Sequence, residues 1–505
     1  MPDRLFSKVL VANRGEIAIR IFRTCHEQGI DTVAVYSEAD RLAPHVAAAG
    51  EAYEIGPPPA RESYLVIGNI LEAARVSGAD AIHPGYGFLA ENADFAQSVM
   101  DAGLTWIGPP PEAMRLLGDK TAARKVAIEH RVPVVPGTPE PVASTEGAIA
   151  AAGEIGYPVL LKAAAGGGGK GMRVVDAAEE MEAAFRMASS EAGSAFGDES
   201  VYIEKFITRP RHIEIQIMAD SHGTCLWLGE RECSVQRRHQ KIIEETPSPA
   251  LDQRMRKEIG RAAVELAVAA GYVGAGTVEF LFEDDRFYFL EVNARLQVEH
   301  PVTEMVTGRD LVLDQLMIAA GRPLDLTQED IQPLGHAIEV RIYAEDPENN
   351  FFPSPGIITL IDPPAGPGVR HDSGVAAGSE VTLYYDPLIA KLITWAPDRA
   401  HAIRRMQRAL DEYQIAGVTT IIPMLGEILL QESFRSGKYD TTIVPRMQEE
   451  RQADADDETA FFAAVSAALY HTVSGSKFIP GRGSRQKCSL SPWVEKGRGD
   501  QQWQR

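Results

Sequence analysis

Glu279 and Glu291 lie on two strand-like runs joined by a polar turn at Glu283–Arg286. With residue 285 at the centre of that hairpin, the two positions stand opposite each other and their side chains leave the same face of the sheet. Two like charges so placed repel unless a cation sits between them. Hard oxygen ligands at that spacing suit Mg²⁺, usually shared with nucleotide phosphates. The second run extends the pattern. Glu291, Asn293, Arg295, Gln297 and Glu299 alternate at period two, so an extended segment points all of them one way, with Val292, Ala294, Leu296 and Val298 on the other face. Such a polar strand face is expected to be the floor of an active site. A solvated edge hairpin would mix Lys, Thr and Ser into its outer face and would seldom lead into a pair such as His300-Pro301.

A second chemical signal is the glycine loop. Pro158–Arg173 reads PVLLKAAAGGGGKGMR, a strand ending in Lys162, a run of small residues with Gly167, Gly168 and Gly169, then Lys170 and another strand. Consecutive glycines free backbone N–H groups to wrap phosphate oxygens, and the lysines add positive charge. The loop is neither a Walker A sequence, which needs GK[ST] opening a helix, nor a dinucleotide fingerprint. It is expected to close as a lid over nucleotide and exclude water. Between loop and hairpin, Glu204-Lys205-Phe206 ends a strand that could offer backbone groups to an adenine edge, and Arg237, Arg238, His239 and Lys241 form a basic cluster suited to an anion. Cys233 reads as a buried structural thiol rather than a nucleophile.

These features need several domains to hold them. A chain of 505 residues exceeds one core, and about three domains are expected. Lys8–Asn13, Ile17–Gln28, Thr32–Tyr36, Ala79–Ile82 and Thr105–Ile107 alternate strand and helix as in a doubly wound α/β unit, whose ligands sit after strand ends, as His83–Phe88 does. His336–Trp395 is strand-rich and Arg399–Tyr413 is an amphipathic helix. The fold class is therefore mixed α/β and α+β. A formal charge of −21 argues against nonspecific nucleic-acid binding. The absence of a long apolar run argues against a membrane span, and MPDRLF is not a secretory leader. The four cysteines have no CxxC spacing, which favours a reduced cytoplasmic setting.

Ten ordered segments together resemble biotin carboxylase, an ATP-grasp enzyme. They are VANRGEIAIRI (11–21), HPGYGFLAEN (83–92), GDKTAAR (118–124), the glycine loop, EKFITRPRHIEIQ (204–216), ERECSVQRRHQKIIEE (230–245), GTVEFLFE (276–283), EVNARLQVEHPVTE (291–304), EVRIYAEDP (339–347) and YYDPLIAKLI (384–393). The resemblance implies an N-terminal α/β domain at 1–117, an ATP-grasp domain at 118–334 with its lid at about 135–204, and a strand-rich C-terminal domain at 335–446; beyond it, composition reads residues 447–505 as a flexible tail, with Glu449–Glu458 an acidic, linker-like run. It also implies roles. Lys120 and Lys162 match lysines that hold ATP phosphates, alongside Gly167–Gly169. Glu204, Lys205, Phe206 and Leu281 match positions around the adenine, Phe206 where leucine is common. His212, Gln236 and His239 line the nucleotide site. Glu279 and Glu291, with Asn293 beside them, match the ligands of Mg²⁺ or Mn²⁺. Lys241, Arg295, Gln297 and the Val298 backbone match the bicarbonate site, Glu299 the general base, and Arg341 the group that stabilises the biotin enolate. Tyr86 and Asp386 match positions near the biotin pocket.

The resemblance further implies a homodimer that works with a biotin carboxyl carrier protein and carboxyltransferase subunits, as in acetyl-CoA carboxylase and fatty acid synthesis. Propionyl-CoA and pyruvate remain open as final acceptors. No Met-Lys-Met context for a biotinylated lysine occurs, so biotin is expected on another polypeptide. Two departures, Ala163–Ala165 where a serine is common and Lys170 where arginine is common, are expected to alter lid kinetics at most. The alternatives are another ATP-grasp ligase, such as a carbamoyl-phosphate synthetase module, and a noncatalytic nucleotide sensor. A sensor would have lost Glu279, Glu291, Glu299 or Arg341, and all are present.

Overall fold

The computed structural model describes residues 5–163, 172–196, 200–238 and 240–455. Strands Lys8–Val11 (β1), Asp31–Tyr36 (β2), Glu51–Glu54 (β3), Ala81–His83 (β4) and Thr105–Trp106 (β5) form a parallel sheet in the order β3-β2-β1-β4-β5. Val9, Leu10, Val33, Val35, Ala81 and Ile82 are buried, as expected of strands covered on both faces. The strand order reverses between β1 and β4, so the loops that leave those strands meet. There the Asn13 amide donates to the carbonyls of Pro84 and Tyr86, both at 2.7 Å. Gly85 has φ +64°, and a Cβ on it would stand 2.9 Å from Asn13 Nδ2, so this contact requires glycine. Two elements here escape the sequence pattern. β3 is a four-residue edge strand, EAYE, without an apolar run, and the helix Ile67–Ser77 hides its short apolar set in a stretch without a capping signal.

A smaller antiparallel sheet, Val159–Ala163 (β6), Met172–Val175 (β7) and Val201–Lys205 (β8), has the order β7-β6-β8. Val159, Leu161, Val201 and Ile203 pack against Ala148, Ala152, Met181 and Phe185 of its two helices. The glycine loop between β6 and β7, with Gly167, Gly168, Gly169 and Lys170, lies outside the described residues.

The site is carried by an eight-stranded antiparallel sheet. Arg211–Ala219 (β9), Cys225–Arg237 (β10), Gln240–Thr246 (β11), Gly274–Glu283 (β12), Arg286–Asn293 (β13) and His336–Tyr343 (β14) run in the order β13-β12-β9-β10-β11-β14, followed by Leu388–Ala396 and Val369–Ser373. The boundary expected between residues 334 and 335 does not interrupt it, because β11 pairs with β14 and joins the two segments into one sheet. The helix Ile443–Ala455 runs into the acidic stretch whose composition reads as a linker, so residues 447–455 are helical rather than flexible tail, and residues 456–505 lie outside the described residues. Among the described residues no helix is long and apolar enough to cross a membrane.

The β12–β13 hairpin corrects its own premise. Its turn is Asp284-Asp285, φ +50° and +58°, a two-residue loop that aspartate tolerates and that matches strand twist. The centre therefore falls between residues 284 and 285, not on 285, and Phe280 pairs with Phe289. A regular ladder would set Glu279 against Leu290. A bulge beyond Phe280 inserts one extra residue into β13, and Glu279 pairs with Glu291 after all.

At the end of β11, Glu245 shows how buried charge holds this sheet together. Its carboxylate accepts from His336 Nε2 (2.6 Å), Arg399 Nε (2.7 Å) and Nη2 (2.9 Å), and Tyr439 Oη (2.5 Å). Burial opposes ionisation, but His336 and Arg399 outweigh it and bring the carboxyl from 4.5 to about 2. A carboxyl lowered on folding stabilises fully above its unfolded value and loses that contribution as pH falls through its folded value. The contribution, on the order of 3 kcal/mol, should be lost between about pH 4.5 and 2. Glu245→Gln should lower the urea midpoint at neutral pH and flatten its fall across that window. An unchanged acid limb would contradict this.

Candidate active site

The functional residues gather on one face of the large sheet because β9, β10, β11 and β12 each contribute alternate polar positions to it. Lys241 on β11 is the hub. Its ammonium donates to Glu214 Oε2 (2.6 Å), Glu279 Oε1 (2.9 Å) and Glu299 Oε1 (2.7 Å). Burial disfavours the charge, but these three carboxylates outweigh it and hold the lysine well above its usual range. Glu299 is fully buried, and Arg341 Nη2 donates to its second oxygen at 2.9 Å. Burial alone would keep Glu299 protonated. Lys241, Arg341 and Arg231 overcome that and hold it well below the usual carboxylate range. A buried carboxylate kept ionised by neighbouring cations can accept a proton from a bound acid once that acid brings it within reach.

Glu279 accepts from Asn293 Nδ2 (2.9 Å) and Gln297 Nε2 (3.4 Å) on one oxygen, and His212 Nε2 lies 2.8 Å from the other. Burial opposes its charge, but Lys241 and His212 lower its pKa far below the usual range. Glu291 is half-buried, with Lys120 Nζ 2.9 Å away. Gln236 Nε2 meets His212 Nδ1 at 2.7 Å, and Leu281 pairs with His212 across the strands. Nucleotide-site and metal-site candidates thus share one neighbourhood. Two carboxylates and an amide oxygen from Glu279, Glu291 and Asn293 are a hard-oxygen donor set that fits Mg²⁺ or Mn²⁺.

The five-residue alternation does not persist as strand. β13 ends at Asn293, and residues 294–299 form an irregular turn into the helix His300–Thr307. The side chains nonetheless converge through hydrogen bonds. Arg295 donates to Gln297 Oε1 (3.0 Å), Asn293 Oδ1 (3.1 Å) and, from Nε, Glu91 Oε2 (2.9 Å). The Val298 carbonyl accepts from the buried Lys391 ammonium at 2.6 Å. Arg295, Val298, Arg341, Tyr86 and Asp386 line a single cavity of about 470 Å³, with Arg14 and Tyr385 on its wall. Tyr86 donates to Glu16.

Other candidates sit elsewhere. Lys162 Nζ is 3.7 Å and Arg124 Nη1 3.9 Å from Glu204, on the small sheet. Lys205 turns its ammonium to the carbonyls of Gly156 and Tyr157, both at 2.9 Å, and its backbone N–H bonds Pro136, so that N–H is already engaged. The N–H of half-buried Phe206 likewise bonds Pro158. The basic run does not act as one anion cradle. Arg237 bonds Glu345 at 2.7 Å and Arg238 bonds Asn350 at 2.7 Å, so among the described residues of the run Lys241 is the one that faces the carboxylates. His239 lies outside the described residues. Cys233 is fully buried, and burial raises its thiol well above its ordinary value, in keeping with a structural role.

The sequence reading missed Glu214, Arg231, Glu244, Lys391 and Glu91. All five stand inside quoted segments, and for Glu214 and Arg231 a charged residue at an alternate position of a strand deep in a sheet was the available signal. Arg231 is fully buried, donates from Nε to Glu214, and reaches Gln216 (2.6 Å), Thr303 (3.0 Å) and Thr277 (3.0 Å). Arg231→Met would leave Glu214 without this partner and should cost about 3–5 kcal/mol, read as a lower midpoint in urea. A midpoint equal to the parent's would remove this anchor from the account.

The sequence models agree with this division of labour. Residues 5–114 match the biotin carboxylase N-terminal domain, residues 119–327 the carbamoyl-phosphate synthase L chain ATP-binding domain, and residues 339–446 the biotin carboxylase C-terminal domain. Biotin carboxylase 1 of Bacillus subtilis (strain 168) is 52% identical over 439 residues, covering 86% of this chain and 98% of that protein. The propionyl-CoA carboxylase alpha chain of Ruegeria pomeroyi is 49% identical over 461 residues, covering 87% of this chain and 68% of that one. The biotin carboxylase domain dimer of Hydrogenobacter thermophilus 2-oxoglutarate carboxylase, solved with MgADP, ADP and bicarbonate, superimposes with a TM-score of 0.80 at 48% identity, covering 87% of this chain and 97% of that one. The fold is that of an ATP-dependent ligase of the ATP-grasp class. Within that class, the chain belongs to the biotin carboxylase family.

Proposed function

We propose that this enzyme carboxylates biotin presented by a carrier protein, using bicarbonate and ATP, and that the product serves a carboxyltransferase. The observation that carries the reading is Glu299, ionised between Lys241 and Arg341, with Arg341 on the wall of the 470 Å³ cavity. Bicarbonate is a weak nucleophile that must lose a proton. Arg295, Gln297 and the Val298 backbone receive the anion beside Lys241, and Glu299 takes its proton as its oxygen attacks the γ-phosphorus of ATP. ADP leaves, and the carboxyphosphate formed breaks into CO₂ and phosphate. That phosphate accepts the ureido proton of biotin, Arg341 stabilises the enolate, and the enolate nitrogen attacks CO₂.

Lys120 and Lys162 hold the phosphates, while His212, Gln236 and Leu281 border the nucleotide. Mg²⁺ or Mn²⁺ held by Glu279, Glu291 and Asn293 would neutralise charge on the transferred phosphoryl group. Tyr86 and Asp386 border the biotin. We assign residues 1–117, 118–334 and 335–446 to the three domains and expect a homodimer. The final acceptor is acetyl-CoA, propionyl-CoA or pyruvate, according to the carboxyltransferase. The test is ATP hydrolysis with MgATP, in which phosphate release should require bicarbonate and be accelerated by biotin. Hydrolysis indifferent to biotin would contradict the reading.

A further inference from the structure

Arg341 is gripped at two edges. Nη2 meets Glu299, and Nε donates to Glu244 Oε1 at 2.6 Å, an oxygen that also lies 2.6 Å from Nη2. Glu244, on β11, is fully buried and its Oε2 has no hydrogen-bond partner among the described residues. Its register partner across the sheet is Glu339 on β14, two residues before Arg341, also fully buried and with neither oxygen hydrogen-bonded among the described residues. Direct cross-strand partners share a face, so two carboxyls with three unbonded oxygens stand side by side behind the arginine. Their cations are few. Lys241 is committed to Glu214, Glu279 and Glu299, and Lys391, cross-strand from Arg341, bonds the Val298 carbonyl. Two adjacent buried carboxyls do not both ionise. Arg341 bonds one of them directly, which decides where the charge resides. Burial, offset only in part by Lys391, also pushes Glu339 well above the usual carboxyl range, whereas Glu244 rises only to about 7.

We infer that Glu244 is a positioning residue for the carboxylation step, its carboxylate fixing the Nε edge of Arg341, while Glu339 stays protonated and keeps the pair a monoanion. The inference rests on the reading that Arg341 faces the biotin enolate. A guanidinium fixed at Nε and at one Nη presents its remaining N–H groups in one orientation. Without Glu244 it can swing toward Glu299 alone.

The experiment compares full-length Glu244→Gln, Glu244→Asp, Glu339→Gln and Arg341→Lys in two assays, biotin carboxylation and bicarbonate-dependent ATP cleavage without biotin. Glu244→Gln should lower kcat for carboxylation on the order of 10²-fold with KM for MgATP and bicarbonate unmoved and ATP cleavage retained. Glu244→Asp should lose less, with the same selectivity. Glu339→Gln, an amide in place of a neutral acid, should match the parent. Glu244→Gln at the parent rate, or slowed equally in both assays, overturns the inference, as does a Glu339→Gln loss as large as that of Glu244→Gln. Should Glu244→Gln not fold, Glu244→Asp at the parent rate overturns it. Arg341→Lys at the parent rate would instead sink the reading of Arg341 itself, and so separates the two failures.

Discussion

Glu299→Gln is expected to lower kcat for biotin carboxylation by about 10³-fold while MgATP still binds. The amide keeps the shape of the side chain and its one oxygen can still accept from Lys241 or Arg341, so the fold should survive. What it loses is the ionised oxygen that accepts the bicarbonate proton. The environment explains why this carboxylate is available for the task. It is fully buried, yet three cations hold it ionised against the cost of burial. Equilibrium binding of a fluorescent ATP analogue should match the parent, and phosphate release should show the deficit. A variant that turns over normally would remove Glu299 from the mechanism.

Lys241→Met should be comparably damaging, and for a different reason. The lysine is the common partner of Glu214, Glu279 and Glu299. Methionine fills much of its volume but leaves three buried carboxylates facing one another. Protons must then enter the cluster, and Glu299 loses the nearest of the three cations that hold it ionised. We expect kcat/KM for bicarbonate to fall by about 10³-fold, with part of the loss in KM because the anion also loses a cation. A loss confined to KM for ATP would contradict this placement.

The site was legible where chemistry is written into residue type. The pairing of Glu279 with Glu291 was anticipated, but from a turn centre that is off by half a residue. Two departures compensate, a two-residue Asp284-Asp285 turn and a bulge near Leu290. Nothing in the sequence marks a bulge, since Leu290 reads like any strand residue. The alternation through Glu299 failed as secondary structure beyond Asn293, yet its side chains still converge, because Glu279, Asn293, Gln297 and Arg295 bond one another in series. Glu244 and Lys391 could not be assigned from spacing. Glu244 acts on a residue 97 positions away and Lys391 on one 93 positions away, through the register of strands whose pairing no local pattern encodes. The first domain was visible through its buried parallel strands, whereas its edge strand Glu51–Glu54 has too little apolar content to register.

The central claim is that bicarbonate is activated by attack on ATP at Glu299, before biotin reacts. Bicarbonate labelled with oxygen-18 tests it directly. If an oxygen of bicarbonate attacks the γ-phosphorus, that oxygen stays with phosphorus when carboxyphosphate breaks down. Mass spectrometry of the inorganic phosphate released during biotin carboxylation should find one bicarbonate-derived oxygen per phosphate. Phosphate carrying no label, with carboxybiotin still formed, would contradict the account.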